Sequence, residues 1–283
     1  MNEVGLWRHA LAQEIAPYYS ANPKVTTVAV AGSVSQGCAD RYSDIDLVVF
    51  WTKPPTEKEH RDIIKRARGS CWQLLPSHAE EGWWSEEFEV EGVAIDVRHL
   101  TVEATEGILA DVLEHCDPVL AKQQHIATLL SALPLSDPSV LTHWQQQAMV
   151  YPHELSAAMV RAHLLFRPGW EQEMLAERND LLLLYESFCT VEKHILLVLM
   201  GLNRTYYPGW QGVDRLMGQM HIAPVHLAPR FKQLFGIVSI DPLAGVYQLH
   251  DLIEETFRLV EIHLGEVDTT LARARFRAQR QTV

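Results

Sequence analysis

The sequence predicts an α+β fold: a small mixed sheet with flanking helices, followed by an all-α helical bundle. Two observations lead to this prediction. Up to about residue 104, segments rich in β-branched and aromatic residues alternate with helical patterns, whereas only helical periodicity follows, interrupted by prolines. The chain has 283 residues, which is enough for two modest cores. We therefore expect two domains, at residues 1–104 and 105–283.

The elements before residue 104 follow one another in a clear order. An amphipathic helix is predicted at residues 6–18, because its apolar residues keep helical spacing. Valines and alanines before Gly32 predict a buried strand, and residues 45–50, which read IDLVVF, predict a second one. A charged helix is expected at residues 57–68. Strands and helices thus alternate in the first domain.

Residues 83–99 predict a β-hairpin. Its arms flank Glu91-Gly92, a short turn in which the glycine can adopt a positive φ. Because side chains alternate along a strand, Asp96 in the second arm shares a face with Arg98 and not with its apolar neighbours. The hairpin therefore carries an aspartate on the less apolar face of its second strand.

Two carboxylates stand one residue apart at the start of the second predicted strand. Alternation projects Asp44 and Asp46 to the same face, where two anions repel each other or require a cation. Magnesium is commonly held by one or two carboxylates together with substrate phosphates. Upstream, Gly32 lets the backbone turn sharply and Ser33 offers a hydroxyl and an N–H to phosphate oxygens. The pattern predicts a nucleotide-metal site, although each residue alone would also suit an ordinary turn or cap.

These residues resemble the signature of a known superfamily. Gly32-Ser33, Gly37 and the run Ser43-Asp44-Ile45-Asp46-Leu47 are similar to the motif of the DNA polymerase β-like nucleotidyltransferases, in particular the minimal and the antibiotic-modifying (aminoglycoside or lincosamide) members. The resemblance implies Mg²⁺-dependent transfer of a nucleoside monophosphate, AMP from ATP or another nucleotide from its triphosphate, to an acceptor hydroxyl with release of pyrophosphate. Gly32 and Ser33 would grip the triphosphate, and Asp44 and Asp46 would hold magnesium.

The same superfamily usually carries a third carboxylate on a neighbouring strand, and by its position Asp96 is the candidate. Two magnesium ions would then be held by Asp44, Asp46 and Asp96, one beside the attacking hydroxyl and the other on the triphosphate. The alternative for Asp96 is an ion pair with Arg98 or another cation on an exposed sheet face.

A long helix is predicted at residues 173–202 in the second domain. On it, Asn179, Glu186 and Lys193 are spaced seven apart and so form a stripe. By analogy with helical domains of similar antibiotic nucleotidyltransferases, Lys193 would contact the triphosphate, while Glu186 would be the general base or recognise the acceptor. The alternative is a solvated stripe of an amphipathic helix.

An aromatic turn follows that helix, and it begins with Arg204. The guanidinium of Arg204 could bind a phosphate of the nucleotide or a carboxylate, whereas helix capping would explain the same residue. The turn resembles a region often found after minimal-type nucleotidyltransferases. In that region a lysine commonly follows the aromatic residues, but here Gln211-Gly212 takes its place.

Composition narrows the class of acceptor. The chain has 36 acidic against 24 basic residues and a net charge of −12, which does not fit a protein that binds nucleic acid. A cationic small molecule, such as an aminoglycoside, would suit an acidic cleft. The four cysteines form no zinc or disulfide pattern, and neither a signal peptide nor a membrane-spanning run is evident. We expect a cytoplasmic enzyme.

Two other functions remain open from the sequence. The first is an antitoxin-like enzyme that adenylylates a partner protein, although minimal antitoxins are shorter than this chain. The second is a nucleotide-binding module without turnover. The presence of Asp44, Asp46 and Asp96 argues against the second, because such a module would be expected to have lost an acidic ligand.

Overall fold

The computed structural model describes residues 2–78 and 82–279, with the side chains of residues 76–78 outside that description. The chain divides into two compact units. The first comprises Met1–His115 and Ala121–Val150, and the second comprises Cys116–Leu120 and Tyr151–Val283.

The first unit contains a sheet and the helices that cover it. Its helices begin where capping residues are available: the Asn2 side chain accepts from the Gly5 N–H, and Thr56 and Glu59 form a capping box. The elements in chain order are α1 (Glu3–Ser20), β1 (Val25–Val30), α2 (Gly32–Ser35), β2 (Ile45–Trp51), α3 (Glu57–Arg66), β3 (Ser70–His78), β4 (Trp83–Val90), β5 (Val93–Thr101), α4 (Val102–Leu113), α5 (Leu120–Ser131), β6 (Leu133–Pro134) and α6 (Ser139–Ala148).

The sheet is mixed and has six strands in the order β3-β4-β5-β2-β1-β6. Strands β2 and β5 are parallel, and the other neighbouring pairs are antiparallel. The predicted hairpin is confirmed as β4 and β5, with positive φ at both turn residues, +53° at Glu91 and +78° at Gly92. The pairing of β2 with β5 brings the two strands that carry the predicted aspartates side by side.

One face of the sheet packs on α1 and α3. The inward residues of the central strands, among them Leu47, Val49 and Val97, pack with Ile15 of α1 and Ile63 of α3 in one buried cluster. Burying each such side chain contributes roughly 1.5–3 kcal/mol. Because side chains alternate, this cluster leaves the other face of β2 and β5 to the aspartates.

The first unit extends beyond residue 104, where the sequence predicted the domain boundary. Strand β6, which the helical periodicity did not predict, pairs with β1, and α6 packs on the same strand. Phe50 of β2 meets Trp144 of α6 edge to face, with 5.0 Å between ring centroids. Helices α4 to α6 thus belong to the unit that contains the sheet, where α4 packs on β5 and α6 packs on β1.

The second unit is helical. Its elements are α7 (His153–His163), α8 (Gly169–Glu177), α9 (Leu181–Leu202), α10 (Val213–Gln219), α11 (Leu227–Val238), α12 (Pro242–His263) and α13 (Thr270–Phe276). Helices α7 and α9 pack closely at Gly201, where an added Cβ would lie 3.1 Å from Cβ of Met159. Together with the mixed sheet and its flanking helices, these helices confirm the predicted α+β class.

The helix predicted at residues 173–202 is two helices, α8 and α9. The break comes at Asn179, whose φ of +54° is left-handed, and the N–H of Asp180 closes the turn on the carbonyl of Leu175 over 2.9 Å. Asn179 therefore lies outside α9, and of the predicted stripe only Glu186 and Lys193 lie on that helix. Periodicity missed the break because the apolar spacing continues through it.

The described part of the chain contains no helix that is both long and apolar enough to cross a bilayer. All four cysteines, Cys38, Cys71, Cys116 and Cys189, are free thiols.

Candidate active site

Sheet topology gathers three of the predicted carboxylates. Asp46 on β2 pairs in register with Asp96 on β5, and Asp44 lies directly before β2. One carboxylate oxygen of each residue lies within 4.8 Å of those of the other two. The three side chains are partly buried. This arrangement of oxygen ligands suits a divalent cation such as Mg²⁺.

The electrostatics of the three carboxylates also point to a cation. Burial raises the pKa of Asp46 to about 6, the charge of Asp44 raises it too, and Arg98 opposes the change. Burial likewise raises the pKa of Asp96 to about 6, helped by Asp44 and Glu87. At neutral pH the ionised carboxylates therefore repel one another at a desolvated place, and a bound cation would relieve that repulsion.

Gly32 allows the backbone to touch the carboxylate of Asp46. A Cβ added at Gly32 would lie 1.8 Å from Oδ2 of Asp46, and the φ of Gly32 is +61°. The N–H of Ala31 also donates to the Asp46 carbonyl over 2.9 Å. Any side chain at position 32 would displace Asp46, so the glycine of the predicted turn is required by the close approach.

Ser33 follows in the first turn of α2. Its hydroxyl oxygen is buried, and it has no hydrogen-bond partner among the residues that the structure describes. Such an atom is costly to leave unsatisfied, so it calls for a partner from outside the chain. A phosphate oxygen fits this requirement.

The loop before Asp44 is tied to α1 by side chains that the sequence did not single out. The guanidinium Nε of Arg8 donates to the carbonyl of Ser43 over 2.8 Å, and Nδ2 of Asn2 donates to the carbonyl of Ala39 over 2.7 Å. Arg8 is only 8% exposed. Because Ser43 directly precedes Asp44, Arg8 is a positioning residue for that carboxylate. Arg8 and Ser43 are 35 residues apart along the chain, so no local sequence pattern predicts this contact.

Glu87 adds a further carboxylate next to the group. Glu87 lies on β4, which is antiparallel to β5, and it pairs in register with Asp96 of β5. Its side chain is exposed. Glu87 was not predicted, although the hairpin turn at Glu91-Gly92 determines the register and so places it opposite Asp96. A row of acids, Asp46, Asp96 and Glu87, thus crosses three neighbouring strands.

A second group of potential metal ligands lies on the opposite face of the sheet. Ligand atoms of His60, Glu86 and His99, all buried, lie within 4.8 Å of one another. The indole N–H of Trp51 donates to Nδ1 of His99 over 3.0 Å. Since an indole only donates, Nε2 of a neutral His99 carries the ring proton and donates it to Glu86 Oε1 over 3.0 Å. This group is therefore a hydrogen-bond network of the core, because a protonated nitrogen cannot bind a metal.

The remaining predicted residues lie in the second unit. Glu186 and Lys193 are exposed on α9, with Nζ of Lys193 5.7 Å from the centre of the Trp210 ring. Arg204 is exposed just after α9, and its Nη2 lies 3.4 Å from Nδ1 of His153. The roles of these three residues stay predictions.

Glu192 on α9 was not predicted. Burial raises the pKa of its carboxyl to about 8, and its Oε1 has no hydrogen-bond partner among the described residues. The sequence offered no signal for it, because helical spacing does not reveal the burial of a single glutamate.

Comparison with known proteins matches two family models to separate parts of the chain. Residues 119–211 match a domain of unknown function (DUF4037), and no curated protein matches the chain. A solved nucleotidyltransferase-like protein from Exiguobacterium sibiricum 255-15 is 11% identical, with 94% of this chain and 77% of that chain covered, at a TM-score of 0.38, too low to support any argument. Residues 13–109 match the nucleotidyltransferase domain, and this match, which includes Asp44, Asp46 and Asp96, identifies that part of the chain as a nucleotidyltransferase domain.

Proposed function

We propose that the enzyme transfers AMP from ATP to a hydroxyl of a small molecule, with Mg²⁺ as the metal and pyrophosphate as the second product. The observation that carries this proposal is that Asp44, Asp46 and Asp96 lie close together within a nucleotidyltransferase domain. Gly32 lies beside them, so close to Asp46 that a side chain there would collide with its carboxylate. A cytoplasmic location would supply both ATP and magnesium.

The residues of the first unit fit a metal-bound triphosphate. Asp44, Asp46 and Asp96 would hold two magnesium ions, which when bound neutralise the triphosphate and favour ionisation of the acceptor hydroxyl. The hydroxyl of Ser33 would donate to a phosphate oxygen, and the bare backbone at Gly32 leaves Asp46 in place. Arg8 keeps Asp44 at the start of β2 by holding the carbonyl of Ser43.

A cationic acceptor fits this site better than an anionic one. Glu87 extends the row of acids on β4, and the net charge of the chain is −12. Such a field attracts amines and repels polyanions such as nucleic acids. We therefore propose an amine-bearing antibiotic, such as an aminoglycoside, as the class of acceptor to test first. For the second unit we propose Lys193 as the residue that binds the triphosphate, Arg204 as a phosphate-binding residue within the second unit itself, and Glu186 as general base or acceptor contact.

The test measures pyrophosphate release. ATP, GTP, CTP and UTP are each incubated with the protein and Mg²⁺ across a panel of aminoglycosides and lincosamides. We expect release that depends on an acceptor, is fastest with ATP, and falls about a hundredfold or more in Asp46→Asn, which removes one metal ligand.

Asp111→Asn is the matched control for that variant. Asp111 is also a carboxylate of the first unit, but it pairs with Lys122 over 2.7 Å outside the group of three aspartates. Its release rate should stay close to that of the unchanged protein. Release that needs no acceptor, or that survives Asp46→Asn, would contradict the proposal. Metal-dependent nucleotide binding without release would indicate a binding module, and transfer of AMP to a protein would indicate the antitoxin-like alternative.

A further inference from the structure

A pocket with a cavity volume of about 270 Å³ lies within the second unit. Its polar lining consists of His153, Ser156, Arg204 and His263, and its apolar lining of Leu202, Ile222 and Leu264. This volume is slightly below the roughly 300–1,000 Å³ of pockets for drug-sized ligands, so a small molecule is the occupant it suits.

The pocket contains an arginine and two histidines in a chain whose net charge is −12. Three of its lining residues are Arg204, His153 and His263, and among the described residues none of those that line it is acidic. Glu266, which does not line the pocket, contacts His153, with 2.8 Å between its Oε1 and Nε2 of the histidine. The other ring nitrogen of His153, Nδ1, lies 3.4 Å from Nη2 of Arg204. The guanidinium has no carboxylate partner among the described residues, so its charge remains available to an anion.

Ser156 supplies a second, independent indication of a ligand. The residue is 2% exposed, and its hydroxyl oxygen has no hydrogen-bond partner within the described part of the chain. A buried hydroxyl of this kind is costly unless something outside the chain accepts or donates a hydrogen bond. Because Ser156 lines the pocket, the missing partner belongs there.

The backbone holds the Arg204 side chain at the end of α9. Arg204 takes φ +52° directly after α9, and the N–H of Thr205 closes the turn on the carbonyl of Met200 over 3.0 Å. This left-handed position after a helix is usually glycine, because any Cβ there is strained. Arg68 has the same backbone directly after α3, so this turn fixes where the Arg204 side chain begins and is not by itself a sign of a ligand.

We propose that this pocket binds the phosphoryl group of a small phosphorylated molecule. The guanidinium of Arg204 would make paired hydrogen bonds to two phosphate oxygens, and the hydroxyl of Ser156 would donate to a third. The apolar residues Leu202, Ile222 and Leu264 would cover the organic part of the ligand. The proposal does not depend on the metal site of the first unit.

Calorimetric titration of the full chain tests the proposal, with EDTA present to keep metal out of the first unit. The probes are inorganic phosphate, phenyl phosphate and malonate. We expect phenyl phosphate to bind more tightly than inorganic phosphate, because its ring can occupy the apolar wall. Arg204→Gly should weaken binding about tenfold or more, and Ser156→Ala should weaken it several-fold.

Arg68→Gly is the matched control for Arg204→Gly. Arg68 is an arginine with φ +57° directly after α3, so glycine relieves the same strain there without changing the pocket. Both variants should melt at or above the temperature of the unchanged protein, which separates lost binding from lost folding. Ser239→Ala should leave phosphate binding intact, because the Ser239 hydroxyl donates to the carbonyl of Gly236 over 2.7 Å and does not line the pocket.

Three results would overturn the proposal. The first is an absence of phosphate and phenyl phosphate binding at up to roughly 20 mM ligand. The second is binding that survives Arg204→Gly or disappears in Ser239→Ala. The third is malonate binding more tightly than phenyl phosphate, which would assign the pocket to carboxylates.

Discussion

At the scale of single residues, the contact between Gly32 and Asp46 makes the site intolerant of one methyl group. Gly32→Ala would place a Cβ 1.8 Å from Oδ2 of Asp46 at a φ of +61°, so either the turn or the carboxylate must move. We expect pyrophosphate release to fall about a hundredfold or more, with a stability loss of roughly 1–3 kcal/mol from the strained backbone. Release rates and thermal melting curves measure the two effects.

Gly107→Ala is the control for this prediction. Gly107 lies inside α4, and nothing lies within 4 Å of the Cβ that alanine would add. Alanine there should stabilise the fold by roughly 0.5–1 kcal/mol without changing pyrophosphate release. Equal activity of the two alanine variants would mean that the approach of Gly32 to Asp46 does not matter for transfer.

The raised pKa of Asp46 gives a prediction about stability and pH. Its pKa rises from 3.8 to about 6, mainly through burial, so the folded state holds the proton more tightly than the unfolded state does. The resulting stabilisation is complete below pH 3.8 and is lost as the pH rises through 6. In EDTA, Asp46→Asn should therefore melt roughly 4 °C higher than the unchanged protein at pH 8 and at the same temperature near pH 4.

Magnesium should reverse the order at pH 8, because it stabilises only a protein that retains its metal ligands. Melting temperatures of Asp46→Asn and of the unchanged protein, measured with and without Mg²⁺ at the two pH values, test both predictions. A variant that melts lower than the unchanged protein in EDTA at pH 8 would show that the ionised Asp46 is stabilised by something other than a metal.

At the scale of elements, helix α1 positions the loop that carries Asp44. Arg8→Met keeps the length of the side chain but removes the hydrogen bond to the Ser43 carbonyl. We expect kcat to fall about tenfold while KM for ATP changes little, together with weaker activation by Mg²⁺. Arg8→Lys, which can still donate, should recover part of the loss.

Arg61→Met is the control for Arg8. Arg61 is an exposed arginine of α3 that pairs with Glu57 over 2.7 Å, and its loss should leave kcat unchanged. If Arg8→Met lowered the melting temperature but left kcat and the Mg²⁺ dependence intact, Arg8 would be a structural residue only.

The elements also show where sequence reasoning succeeds and where it stops. That Asp44, Asp46 and Asp96 lie together could be predicted because alternation along a strand and the short hairpin turn are local properties, and their role as ligands stays a prediction. Arg8 could not, because its partner lies 35 residues away. The break at Asn179 was missed for another reason, since apolar spacing continues across a turn that only φ reveals.

At the scale of the whole molecule, the helices after residue 104 could not be assigned to a unit from periodicity. A helical pattern does not say which surface a helix covers, and α4 to α6 carry the same periodicity as the helices of the second unit. What assigns them is long-range pairing, such as β6 with β1 and Trp144 with Phe50. The boundary between the two units after residue 150 is therefore visible in the contacts of the folded chain and not in its composition.

This division predicts how fragments of the chain behave. A fragment of residues 1–104 lacks β6 and α6, so one edge of β1 is unpaired and Phe50, which is 0% exposed in the full chain, meets water. Exposing such a ring costs roughly 1.5–3 kcal/mol, and the other residues of that face add to the loss. Residues 1–150 retain both elements, so this longer fragment should unfold cooperatively whereas the shorter one should aggregate or melt without a transition. Circular dichroism and thermal melting of the two purified fragments measure the difference, and a cooperative transition in residues 1–104 would support the earlier boundary.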